Sequence, residues 1–400
     1  MTNRELLTNY PRYLAFGFLH YFFSFVGQTF FISLFVTGIT AERGWETETF
    51  AGIYSGVTLC AAFLLPVIGG QLDRLRVRYV STTTVLVMIA GCLLLAYGHG
   101  WLLLALGILC VRLGGQGVLT LTGSTTIGRF FERGRGKALS YSMLGICAAE
   151  IIVPLLAVYL IQEQGYRSTW LVAAALLAMV FLPAIWLLVS RHDNFQKAAT
   201  IVNSGETSSV ASWTRRQVIS DPRFQLIVPI VLFIPFFFTG FVFNQTDIGE
   251  LRGFSPELMA LGLSTFGLTR AFCILFAGQI VDRFGPAKLL IVVLLPAVMG
   301  MLVFWSFPGG WTIPVIFGLI AVSAGVITVT MPTLWADRYG PQFLGSIKST
   351  VKLLEVLSSA GAPILFSWGL KSLGLSTWMA LMIGYGLACV LLAVLERRRQ

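Results

Sequence analysis

Apolar stretches long enough to cross a bilayer alternate with short polar turns along the whole chain. Twelve are predicted, at residues 13–39, 47–71, 78–98, 101–125, 138–162, 167–190, 223–248, 256–281, 286–307, 311–333, 343–370 and 374–396. A bilayer core of about 30 Å takes roughly 20 apolar residues as a helix, and in lipid each backbone polar group must be satisfied within its own segment or a closed barrel. The pattern therefore predicts an all-α integral membrane protein with twelve transmembrane helices. One segment breaks the rhythm. Residues 191–222 are polar, with His192, Asp193, Lys197, Asn203, Glu206, Arg215 and Arg216 among them. They are expected to form a solvated linker between two six-helix bundles, 1–190 and 223–400; a short amphipathic helix on the membrane surface over Trp213 to Phe224 is the less favoured alternative.

The two bundles read as one unit written twice. The run Gly69-Gly70-Gln71-Leu72-Asp73-Arg74 returns 209 residues later as Gly278-Gln279-Ile280-Val281-Asp282-Arg283. The same offset carries Arg43-Gly44 onto Arg252-Gly253, Arg129 onto Arg338, Gly136 onto Gly345, Pro154 onto Pro363 and Gly165 onto Gly374. A constant register across such landmarks is the signature of internal duplication.

Composition agrees: 56% of residues are hydrophobic and 12% charged, against about a quarter charged in soluble domains. The net charge of +10 does not point to nucleic acid, because of where the charges lie. With a cytoplasmic N-terminus, 20 of the 28 Lys and Arg fall in cytoplasmic segments and four, Arg43, Arg167, Arg252 and Lys371, fall outside. That asymmetry sets orientation and places both termini inside. The first apolar run is a full span with no cleavage site after it, so it is read as retained. Cys60, Cys92, Cys110, Cys147, Cys273 and Cys389 are scattered singly without metal spacing and are read as small apolar filler.

Ionisable and polar side chains inside spans are costly and mark function. His20, Gln28 and Thr29 lie in the first span. Arg112 lies in the fourth among Gly114, Gly115 and Gly117, Glu150 in the fifth, and Arg270 in the eighth. The seventh ends in Asn244-Gln245-Thr246-Asp247, and the eleventh carries Lys348, Lys352 and Glu355. Three of the mid-depth groups (Arg112, Arg270, Lys352) are positive and two (Glu150, Glu355) negative, a sum that suits an anion. A guanidinium offers the planar fork that fits a carboxylate.

The paired Gly-x-x-x-Asp-Arg runs, in a chain of two times six spans with a polar middle, resemble the major facilitator superfamily over essentially all 400 residues. Arg76 stands where that family's motif has a glycine, and Arg78 keeps a basic position. The resemblance implies the major facilitator fold, two pseudo-symmetric six-helix bundles. It also implies a gating motif of Gly69, Asp73, Arg74, Arg78 and Arg129, repeated as Gly278, Asp282, Arg283 and Arg338, in which Asp73 pairs with Arg129 and Asp282 with Arg338. Arg112 with Gly115 and Gly117 resembles a fourth-helix motif linked to proton coupling in some members. Arg270 with Lys352 resembles the oxalate/formate and monocarboxylate branch, although Phe266 stands where monocarboxylate carriers place an aspartate.

The expectation is a secondary transporter of a small organic anion, a mono- or dicarboxylate, working as a monomer by alternating access in a bacterial inner membrane. Proton coupling and anion exchange both remain open. Arg270 would hold the carboxylate, assisted by Lys352, Arg112, Gln28 and Gln245, with Glu150, Glu355 or His20 carrying protons. The alternatives are a proton-driven drug exporter, disfavoured by the three buried cations and by Ala148-Ala149-Glu150 in place of a Gly-Pro pair, and a non-transporting sensor. No nucleotide-binding loop, zincin or hydrolase motif occurs, so neither enzyme activity nor a cofactor is expected. The partners are the solute, protons and the lipid bilayer.

Overall fold

A computed structural model describes residues 7–69, 75–130, 135–189, 213–339 and 344–398. Every regular element among them is helical. The chain divides into two compact units, Met1–Ser204 and Gly205–Gln400.

Among the described residues, nine helices are long and apolar enough to cross a bilayer, and the pair Pro11–Gly27 and Thr29–Arg43, bent by 40°, makes a tenth. Two of the nine, Ala138–Leu188 and Thr350–Arg397, run 51 and 48 residues, about twice what one crossing needs. Each is interrupted by a glycine in a conformation that side chains avoid, Gly165 (φ 82°, ψ 161°) and Gly374 (φ 77°, ψ 159°). Counting each as two crossings gives twelve. Backbone of this kind costs on the order of 1–3 kcal/mol for a residue with a Cβ. Gly165→Ala and Gly374→Ala should therefore each lower the melting temperature of the purified protein by a similar amount. No shift in either would count against the shared geometry.

The duplication extends to side-chain contacts. Arg43 donates from Nη1 to the Gly100 carbonyl and from Nη2 to the Gly98 carbonyl, both at 2.8 Å. Its counterpart Arg252 donates to the carbonyls of Phe307 (3.2 Å) and Phe304 (2.9 Å), and Phe307 lies 209 residues after Gly98. Each arginine reaches a carbonyl at the C-terminal end of a neighbouring helix, where positive charge is favoured: Gly98 O after Val77–Tyr97, and Phe304 O and Phe307 O at the end of Leu295–Ser306. Arg43 also bridges to the first residue of the next helix. Gly44 and Gly253 follow them in nearly the same left-handed conformation (φ 63° and 69°).

Arg78 has a similar task. It donates to the carbonyls of Trp186 (3.0 Å) and Val189 (2.7 Å), with its guanidinium 4.2 Å from the Trp186 ring centroid. Arg12 reaches Leu188 O at 2.8 Å beside it. Together they close the last turn of the sixth crossing.

Of the predicted linker, 191–212 lies outside the described residues. Its distal part forms the helix Arg215–Ser220, opened by a capping box of Thr214 and Gln217. Asp221 then starts the seventh crossing by accepting from the Arg223 N–H at 3.0 Å.

Candidate functional site

Unit 1 builds its polar centre where the first crossing breaks. The helix Pro11–Phe23 tightens to a 3-10 turn over Ser24–Gly27, and Gln28 is extended (φ −86°, ψ 151°) before helix resumes at Thr29. The cause lies in the fourth crossing. A Cβ on Gly27 would fall 2.1 Å from Val111 O, and one on Gly115 would fall 2.7 Å from Gly27 N. The two backbones touch, which only glycines permit. The fourth crossing meanwhile widens into π-type turns over Arg112–Leu119, a distortion frequent at functional sites.

Arg112 enters this break. It is 1% exposed. Its Nη1 donates to the Gly27 carbonyl at 3.0 Å and to Thr29 Oγ1 at 3.2 Å, and its Nε to Thr58 Oγ1 at 3.3 Å. The Tyr54 ring centroid lies 4.9 Å from Cζ, and the Tyr54 hydroxyl bonds Thr29 Oγ1 at 2.8 Å. Nη2 is buried with no hydrogen-bond partner. Among the described residues no carboxylate lies within 4.0 Å of this guanidinium, so Glu150 is not its ion-pair partner, although Glu150 is itself buried. Carbonyl dipoles, hydroxyls and one aromatic face support the charge, and two N–H groups remain open to an acceptor. Gln28 borders the cluster, donating to Ser24 Oγ at 3.3 Å. Substituting Gly27 by alanine should separate the two helices and draw Gly27 O away from Arg112. Flux and melting temperature should fall together; unchanged flux would separate the break from the site.

His20 sits apart from that cluster. Fully buried, it donates from Nδ1 to Phe16 O at 2.8 Å, and Nε2 meets Ser81 Oγ at 2.8 Å. Phe16 and Phe181 pack on its ring, centroids 3.9 and 5.2 Å away. Both nitrogens are engaged within the helix packing.

In unit 2 the seventh crossing breaks at Asn244 (φ −96°, ψ 19°), between Pro222–Phe243 and Gln245–Arg252. Asn244 is buried. It donates to Gly240 O at 2.8 Å and accepts from Ser367 Oγ at 2.6 Å, which ties the break to the eleventh crossing. Gln245 beside it is also buried. Thr239 and Ser359 join the same two crossings at 2.9 Å. Asn244 was not among the expected site residues, although its polar neighbourhood was visible in the sequence.

The remaining charges redistribute the expected sum. Lys352 Nζ meets Glu355 Oε2 at 3.0 Å, one turn along the same helix, with 73% of the lysine side chain exposed. The two cancel, so Lys352 is not a bare cation beside Arg270. Arg270 is half-buried, its guanidinium 5.4 Å from the Phe266 ring centroid. Arg338 makes an ion pair with Glu396 at 2.6 Å, with Glu396 wholly buried. Asp73 and Arg74 lie outside the described residues, as do the side chains of Arg129, Asp282 and Lys348. Gly69 and Gly278 are helical, and Arg283 extends over the adjacent Phe284 ring at 5.5 Å.

A family model described as Major Facilitator Superfamily matches residues 17–363. The chain belongs to the Major Facilitator Superfamily. Superfamily relatives include "Multidrug resistance protein MdtG" of Salmonella choleraesuis (strain SC-B67), 23% identical over 82% of this chain and 80% of that protein. The protein of that name from Dickeya zeae (strain Ech586) is 22% identical over 88% and 87%. Among solved structures, a bacterial homolog to the human lysosomal transporter Spinster, inward-facing and occupied, aligns with a TM-score of 0.75 at 14% identity over 98% of this chain and 97% of that one. A mutant form of the nucleoside transporter NupG aligns with a TM-score of 0.70 at 13% identity over 96% and 99%. These likenesses show the superfamily fold. This superfamily member is a multi-pass membrane transporter acting on small molecules, not an enzyme.

Proposed function

We propose that the chain is a gradient-driven exporter of small organic molecules, working by alternating access between its two six-helix halves. The observation that carries this reading is the similarity to the MdtG proteins over more than four-fifths of the chain. The Lys352–Glu355 pair supports it by removing one of the cations that had argued against such cargo. Energy comes from protons, with Glu150 and Glu355 as carriers. The repeated Asp-Arg runs, Gly69 to Arg74 with Arg129 and Gly278 to Arg283 with Arg338, serve as gates at the cytoplasmic ends. The membrane is a bacterial inner membrane with both termini inside, in line with the distribution of Lys and Arg.

A second reading keeps a small organic anion as cargo, with Arg112, Arg270, Gln28 and Gln245 as its ligands. It is favoured by the buried Nη2 of Arg112, which has no partner. One measurement divides the two. Purified protein in liposomes is assayed for export of lipophilic dyes and for uptake of labelled mono- and dicarboxylates, each with and without a pH gradient. Dye movement driven by the gradient supports the exporter; carboxylate accumulation without dye movement replaces it with the anion carrier. No flux of any kind would leave a sensor. Glu150→Gln and Glu355→Gln should each uncouple movement from the gradient.

A further inference from the structure

The segment Trp213–Arg223 is a fixed strap on unit 2. Its Trp213 N–H donates to the Tyr339 carbonyl at 3.0 Å, and the Tyr339 hydroxyl donates to Asp221 Oδ2 at 2.9 Å. Both ends of the strap are thus held by one residue at the end of the tenth crossing. The Trp213 ring packs on Tyr339, centroids 5.6 Å apart, and Val218 is buried beneath the helix.

The charged side chains left outward on the helix are both basic. Arg215 and Arg216 are exposed, and among the described residues neither has a carboxylate within 4.0 Å. Trp213 and Ile219 are 37% and 43% exposed beside them. One residue past Asp221 the apolar crossing Pro222–Phe243 begins. Two unpaired guanidiniums, an indole and an aliphatic side chain at the mouth of a span match the layered chemistry of a phospholipid surface. The arginines meet phosphate, and the indole and isoleucine meet the glycerol and upper acyl region.

We propose that this strap is a binding site for the headgroup of an anionic phospholipid, with Arg215 and Arg216 on the phosphate and Trp213 and Ile219 along the chain below it. The proposal is independent of what the protein carries. The rigid mounting matters because a preformed pair of guanidiniums loses less freedom on binding than a loose loop would.

The test is lipid retention by the full-length purified protein in detergent, followed by native mass spectrometry during titration with phosphatidylglycerol or phosphatidylcholine. Phosphatidylglycerol should bind the wild type in preference to phosphatidylcholine. Arg215→Gln with Arg216→Gln should weaken that binding roughly thirtyfold, about fivefold for each charge. Arg397→Gln, which removes one exposed positive charge from the end of the last crossing, should leave it unchanged. Both variants alter exposed side chains and should fold. Equal retention by the double variant, equal binding of the two lipids, or displacement of phosphatidylglycerol by millimolar inorganic phosphate would each overturn the proposal.

Discussion

Arg112→Ala should cut flux of every accepted solute by about two orders of magnitude. That is about 2.7 kcal/mol of lost stabilisation. The same variant should melt within a few degrees of the wild type. The hydrogen bonds lost by Gly27 O, Thr29 and Thr58 are offset by relief from burying a guanidinium that has no carboxylate partner. Arg112→Lys should recover little flux. An ammonium keeps the charge but cannot serve Gly27 O, Thr29 and Thr58 at once, nor present a flat face to Tyr54. Flux in Arg112→Ala within twofold of the wild type would reduce the residue to helix packing.

The Arg338–Glu396 pair should behave in the opposite way. Either residue changed alone to alanine leaves the other charge stranded, and for Glu396 that means a carboxylate with no exposed surface. The expected loss is about 3–5 kcal/mol, read as a large fall in melting temperature or as failure to accumulate. Replacing both, Arg338→Met with Glu396→Leu, should restore most of the stability, because the desolvation cost disappears with the charges. A double variant no better than the singles would show that the pair does more than compensate itself.

The repeat was legible because it is written in residues whose chemistry has few substitutes. Only glycine suits the backbone at Gly165 and Gly374, and an arginine fork suits the two carbonyls at Arg43 and Arg252, so the constant offset survived divergence. The partners of the buried charges were not legible. Glu396 stands beside Arg397, Arg398 and Arg399 and reads as surface; what buries it is a helix 58 residues away in sequence. The partners of His20, Phe16 O and Ser81 Oγ, were likewise not legible, since Ser81 lies 61 residues away. The break at Gln28 has no local cause either. It follows from Gly27 lying against the backbone of Gly115, a contact that no periodicity within the first crossing encodes.

The arginine clasps bear on how a solute arrives. At the ends of the units where Arg43 and Arg252 lie, both guanidiniums are turned onto carbonyl oxygens, and Arg167 is engaged by Glu42. Glu46, Glu48, Glu250 and Glu257 flank the same turns. Taken within either unit, a negatively charged molecule approaching these turns meets arginines already engaged rather than free positive charge to speed its encounter. Its capture rate should change little between dilute buffer and physiological salt, where a steered ligand would slow markedly.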